Sequence, residues 1–136
     1  MNNIEYKQLI FDKDQIRNLY LNNEWSAYTK NEEKLFNGIK NSTDVFAAYD
    51  NQLLVGLIRT ISDQETICYI QDILILKEYQ RKGIGKKLIN IIFDKYKHVR
   101  QIVLMTDNNN NTNEFYKRVG LIPFESIDCI GYTLKK

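Results

Sequence analysis

Two cysteines and one histidine leave little room for thiol or metal chemistry. Cys68 and Cys129 stand inside apolar stretches without Cys-x-x-Cys spacing, and His98 has no companion at metal-ligand spacing. Two buried structural thiols are expected, with no disulfide and no metal. No run approaches the roughly 18 apolar residues of a membrane span. The first positions are polar and acidic, unlike a secretory leader, so a cytoplasmic protein with no membrane partner is expected. A net charge of +2 is too small for a dedicated nucleic-acid binder, which argues against that partner class. Repeats and linkers are absent, and a content of 43% hydrophobic and 12% aromatic residues argues against disorder. The 136 residues read as one folded domain, 1–136.

Glycine is scarce as well. Of only six, two stand one residue apart in Tyr79-Gln80-Arg81-Lys82-Gly83-Ile84-Gly85. The stretch follows the apolar run Ile73-Leu74-Ile75-Leu76 and precedes residues 86–92, which have helical spacing, so it joins a strand to a helix. The first N–H groups of a helix lack internal partners and carry partial positive charge. An anion fits there, with Gly83 and Gly85 allowing close approach and Arg81, Lys82, Lys86 and Lys87 raising the potential. A solvated basic turn is the alternative. A Rossmann fingerprint needs a third glycine where Leu88 stands, and a P-loop needs Ser or Thr where Lys87 stands. Neither nucleotide motif is met.

Ile4 to Ile10 reads as a first strand. Asp12 with Gln15 resembles a capping box for a helix to about Asn22, and Asn31 caps a second helix through Leu35, Phe36 and Ile39. Val45–Tyr49 and Leu53–Thr60 flank Asp50-Asn51-Gln52 as a hairpin. Thr66–Leu76 is apolar on both faces, as a covered central strand is. Simple alternation puts Gln71 on the face of Ile67, Tyr69, Ile73 and Ile75, and Asp72 on the face of Cys68, Ile70, Leu74 and Leu76. A charge there must be paired, with an arginine such as Arg59, or must serve a cleft. A third helix carries Ile84, Leu88, Ile91, Ile92 and Tyr96, and the crossover makes Ile102–Met105 a parallel neighbour of the central strand. In the polar tract that follows, Asn109, Thr112, Asn113 and Tyr116 share one stripe if a helix starts within it. Gly120 ends that helix, and Leu121–Phe124 with Ile130–Leu134 is expected to close a final hairpin.

Gln80-Arg81-Lys82-Gly83-Ile84-Gly85 matches the Gln/Arg-x-x-Gly-x-Gly/Ala signature of the GNAT superfamily of N-acetyltransferases. Asn109, Thr112, Phe115-Tyr116 and Gly120-Leu121 resemble its later Asn-x-x-Ala-x-x-Phe-Tyr-x-x-x-Gly-Phe pattern, with Thr112 and Leu121 as mild departures. With the element order, the resemblance covers essentially the whole chain. It implies an α/β GNAT fold, a mixed central sheet flanked by about four helices, with acetyl-CoA as cosubstrate. It further implies a diphosphate on the loop amides of Lys82, Gly83, Ile84, Gly85 and Lys86, with Gln80 and Arg81 also binding the cofactor, and a pantetheine arm along the central strand near Ile73, Leu74 and Ile75. Asn109, Thr112 and Tyr116 complete the implied cofactor side.

Transfer to a primary amine by direct attack on the thioester poses two proton problems. The ammonium must lose a proton, and the departing thiolate must gain one from a group such as a phenol of pKa about 10. Tyr116 is the expected acid. Asp72 is the expected base, with Glu65 and Glu24 behind it and ordered water as the alternative. A free N–H near Leu74 is expected to meet the oxyanion if the strand bulges or splays. Trp25, Tyr28 and Tyr69 are the candidates for an aromatic acceptor pocket suited to a cation. The acceptor class is a small-molecule or peptide amine, and a homodimer is left open. The competing reading is an acyl-CoA-binding sensor or regulator without catalysis.

Overall fold

The computed structural model describes residues 3–136, apart from the Ser26 side chain. The chain forms two compact units, one up to Met105 and one from Thr106 to Lys136. The first holds a five-stranded sheet in the order β1-β2-β3-β4-β5. Its strands are β1 (Ile4–Gln8), β2 (Asp44–Asp50), β3 (Leu53–Ser62), β4 (Ile67–Ile75) and β5 (Gln101–Leu104). All neighbours run antiparallel except β4 and β5, whose parallel pairing matches the expected crossover through α4 (Ile84–Lys95).

α1 (Lys13–Asn22) begins where Asp12 accepts the Gln15 N–H at 3.1 Å. The Gln15 carboxamide turns to the hairpin: Nε2 donates to the Gln52 carbonyl at 2.7 Å, and Oε1 accepts the Leu54 N–H at 2.8 Å. A residue read as half of a capping box thus clips the helix to the sheet. A single turn, α2 (Ser26–Thr29), follows, and Asn31 caps α3 (Glu32–Lys40) by accepting the Lys34 N–H at 3.3 Å. The two faces of β4 are covered by different helices. Asp72 meets Tyr20 of α1, whereas the Ile75 side chain lies on the other face, crowding Gly56 beside Leu88 of α4. This double cover explains the apolar character of both faces of the central strands.

One irregularity changes the reading of β4. Arg59 pairs with Asp72 but Thr60 pairs with Ile70, so Gln71 is an extra residue opposite β3. Because Arg59 and Thr60 point to opposite faces, so do Asp72 and Ile70. Asp72 therefore does not share the face of Cys68 and Ile70, as simple alternation implied. It stands with Leu74 and Tyr69 on the face toward α1.

In the second unit, α5 (Asn110–Arg118) starts within the polar tract, with Asn109 accepting the Thr112 N–H at 2.9 Å. Gly120, at φ +104°, donates its N–H to the Lys117 carbonyl and ends the helix. The expected final hairpin does not form. Pro123, which has no N–H for a ladder, leads into a 3-10 turn at Phe124–Ile127, and the Cys129 N–H closes on the Phe124 carbonyl at 2.9 Å. The reversal is taken up in that turn, and residues 128–136 carry no strand. Cys68 is buried as expected, but Cys129 is exposed, because it follows the turn instead of lying in a strand.

Candidate active site

β4 outruns its parallel partner. The pairing extends from Ile67 with Gln101 to Ile70 with Leu104, whereas β4 continues to Ile75. Residues 71–75 thus present a strand edge with no β5 beside it. The Leu76 N–H donates to the Val55 carbonyl at 2.8 Å, and backbone groups alternate sides along a strand. The N–H of Leu74 therefore turns to β3, and those of Ile73 and Ile75 turn to the open side. The donor expected near Leu74 sits one residue away on either side of it. On that side the Ile75 carbonyl accepts the Asn23 Nδ2 at 2.9 Å and the Gln80 Nε2 at 3.1 Å.

The glycine loop lies directly beyond this edge. Gly83, at φ +85°, is the N-cap of α4, and having no side chain it offers the first helical N–H groups no acceptor. Arg81 is also left-handed, at φ 62°. A Cβ built on Gly83 meets nothing within 4 Å, so the space above the loop is open. Arg81, Lys82, Lys86 and Lys87 are all exposed around it. The approach to the loop is braced: the Lys77 N–H donates to Asn22 Oδ1 at 2.8 Å, and the Tyr79 hydroxyl donates to Asp50 Oδ2 at 2.5 Å. Lys82 Nζ lies 5.5 Å from the centroid of the Tyr79 ring. An uncapped helix N-terminus and four exposed cations around an open space are features that an anion such as phosphate can use.

Asp72 takes a different part from the one expected. It is 2% exposed and Arg59 is 6% exposed, and Arg59 Nε donates to Asp72 Oδ2 at 2.8 Å. The Tyr20 hydroxyl donates to the same oxygen at 2.8 Å, and the Tyr28 hydroxyl to Oδ1 at 3.1 Å. Its charge is balanced and both oxygens are engaged, so this geometry gives it no path to an ammonium and corrects its assignment as the base. Pairing with Arg59, the other role open to a charged residue here, is the one found. Burial works against the Arg59 charge, yet Asp72 holds the guanidinium above its ordinary range. Burial first, and Asp72 second, push the Tyr20 phenol well above its usual value. Tyr28 and Tyr69 rise for the same two reasons, so all three phenols stay neutral at ordinary pH.

Trp25 and Tyr28 lie together, their rings stacked at 5.9 Å, and Tyr20 meets both edge-on at 5.7 and 5.5 Å. Tyr69 shares the β4 face of Asp72 and is half-buried. Glu24 is an exposed partner of Lys77 at 2.8 Å, and that hydrogen bond holds its carboxyl below the usual range. Glu65 is exposed on the β3–β4 turn, its N–H donating to Asp63 Oδ1. Neither touches the Asp72 cluster through the contacts just described. Tyr20 and the Asn22-Asn23 pair, unmarked by any motif, contribute more to the site than either glutamate.

In the second unit, Thr112, Asn113 and Tyr116 are each partly buried along α5. Burial raises the Tyr116 phenol above 10.0, against a hydrogen bond with Thr106 that lowers it. Asn109 has a structural duty as cap. Asn109→Ala should therefore cost about 1 kcal/mol in urea unfolding and Asn109→Asp almost nothing, since aspartate caps equally well. Equal losses in both variants would deny the cap its importance.

The match of a family model described as an acetyltransferase (GNAT) domain to residues 8–128 shows that the chain belongs to this family. A curated acetyltransferase-named protein of Gibberella zeae is 31% identical over 77 residues, which is 54% of this chain and 42% of that protein. The chain thus spans less than half the length of that relative. Among solved structures, the GNAT family acetyltransferase SP0256 of Streptococcus pneumoniae superposes with a TM-score of 0.86 at 26% identity, over 100% of this chain and 98% of the other. An aminoglycoside N-acetyltransferase, AAC(6')-Iy, in complex with CoA shares the fold at TM-score 0.77 and 13% identity, covering 100% of this chain and 97% of that one. The five-stranded mixed sheet with flanking helices is the GNAT fold.

Proposed function

We propose that this chain transfers an acetyl group from acetyl-CoA to a primary amine of a small molecule or peptide, by direct attack of the amine on the thioester. The observation that carries the reading is the open edge of β4 at residues 71–75 leading straight to the uncapped N-terminus of α4. The residues present fit the cosubstrate. The first amides of α4 donate to the diphosphate, and Arg81, Lys82, Lys86 and Lys87 neutralise it. Ile73, Leu74 and Ile75 would hold the pantetheine arm in the manner of an added strand. The outward N–H groups of Ile73 and Ile75 are the donors available to a developing oxyanion. With Asp72 sealed in its ion pair, the proton of the ammonium leaves to water.

Following the family resemblance, Tyr116 is assigned the acid that protonates the departing thiolate, and Thr112 lies on the same helix, which Asn109 caps. Tyr116→Phe keeps the ring and removes the proton donor. Turnover should fall by about 10²-fold while the acetyl-CoA dissociation constant stays nearly unchanged. Weaker binding with turnover preserved at saturation would leave Tyr116 only a positioning part. Since burial lifts this phenol above 10.0, it remains protonated through neutral pH. Any alkaline limb of turnover in the parent should then lie above about pH 10 and vanish in the phenylalanine variant.

A further inference from the structure

The Trp25–Tyr28 segment poses a mechanical question. α2 has four residues, too few to hold itself in water, where isolated helices need about a dozen. Tyr20 packs edge-on against the Trp25 and Tyr28 rings, and the Tyr28 hydroxyl ties α2 to the sheet. The Tyr28 hydroxyl donates to Asp72 Oδ1 at 3.1 Å and accepts from Gln71 Nε2 at 3.0 Å and Arg59 Nη2 at 3.3 Å. A phenol has one proton to give and lone pairs to receive, so its capacity is used. Two of these partners are consecutive on β4. In regular alternation they would face opposite ways; the bulge at Gln71 lets both reach Tyr28. Arg59 Nη1 extends the network to Ser42 Oγ at 3.2 Å, just beyond the end of α3. The strand irregularity, the ion pair and the tyrosine form one connected unit.

We propose that the Arg59–Asp72 pair, with Gln71, is a positioning device that acts through the Tyr28 hydroxyl to hold α2 and the Trp25–Tyr28 ring pair as a fixed wall of the acceptor site. This rests on the acetyl-transfer reading for what the wall contacts, but its mechanical content does not. Asp72 and Arg59 are positioning residues, too buried to meet the amine, and Tyr28 passes their constraint to Trp25 through the ring stack. The buried charge is thereby used to fix geometry.

Trp25 is the chain's one tryptophan, so its fluorescence reports this wall directly. Tyr28→Phe keeps the ring and removes the anchoring oxygen, leaving Asp72 Oδ1, Gln71 Nε2 and Arg59 Nη2 each short of a partner. In the folded variant, acrylamide quenching of Trp25 should rise by about twofold and KM for the amine by about fivefold or more, with kcat and the CoA dissociation constant within twofold of the parent. Gln71→Met, which deletes one bond to the same hydroxyl and leaves the ion pair intact, should give a smaller change in the same direction and serves if Tyr28→Phe folds poorly. Unchanged quenching and unchanged amine KM would overturn the proposal. So would a loss confined to kcat or shared by CoA binding, which marks general destabilisation. If the parent acetylates no amine, the transfer reading fails, and the quenching comparison alone decides: a rise supports the fixed wall and its absence refutes it.

Discussion

Coenzyme A at a hundredfold excess over its dissociation constant should stabilise the parent chain by about 2.7 kcal/mol, on the order of 10 °C in melting temperature, and Gly85→Val should remove that shift. The expectation follows from the backbone. Gly85 is the second residue of α4 and does not share the positive φ of Gly83, so its backbone conformation is open to other residues. Valine is the better helix former of the two. Its branched side chain at the first turn nevertheless intrudes on the amides that would receive the diphosphate. The two glycines therefore separate. Gly83→Val forces a β-branched residue into the left-handed region at φ +85° and should lose about 1–2 kcal/mol before any ligand is added. Differential scanning fluorimetry with and without coenzyme A measures both effects. A Gly85→Val variant that keeps the parent's shift would place the cofactor elsewhere.

Asp72→Asn should lower stability by about 3–5 kcal/mol, the loss seen when one member of a buried ion pair is removed. The amide keeps the shape of the carboxylate but leaves the Arg59 charge, 6% exposed, without its counter-charge. Replacing both together, Arg59→Met with Asp72→Leu, should recover most of that loss, because no buried charge is then stranded. Urea unfolding of the two single variants and the double variant gives the coupling directly. A solvent-reaching base would behave differently: its replacement by asparagine would change stability by well under 1 kcal/mol and fall on the rate alone. Additive losses in the double variant would likewise contradict an ion pair that acts as a unit.

The sequence carried the architecture well where periodicity was strong. Asp12 and Asn31 act as the caps their positions suggested, β4 and β5 are parallel neighbours, and α5 does start inside the asparagine tract. The glycine loop was legible because two scarce residues and four cations were concentrated at a strand-to-helix junction. What could not be read was the phase of β4. A bulge is a property of two strands in register, so no single-strand pattern announces that Gln71 is an extra residue. Once it is present, Asp72 moves to the other face and meets Arg59, Tyr20 and Tyr28. The base assignment rested on the need to account for a charge in a covered strand, and the pairing with Arg59, the other role open to it, is the one found. The C-terminal hairpin was misread for a related reason: Ile130, Tyr132 and Leu134 alternate as a strand would, but Pro123 and the turn after it decide the path of the chain. Tyr20 was hidden because an aromatic on an apolar helix stripe looks like core, and its ring is core while its buried hydroxyl binds Asp72.

On the acetyl-transfer reading, one amine gains one acetyl group for each acetyl-CoA consumed. The direct measurement incubates the purified chain with acetyl-CoA and a panel of primary amines, following free thiol and acetylated amine together by mass spectrometry, with Gly85→Val in parallel. For at least one amine the two products should appear in equal amounts in the parent and not in the variant. Binding of coenzyme A with the thioester left intact, or hydrolysed to acetate, in the presence of every amine would contradict it.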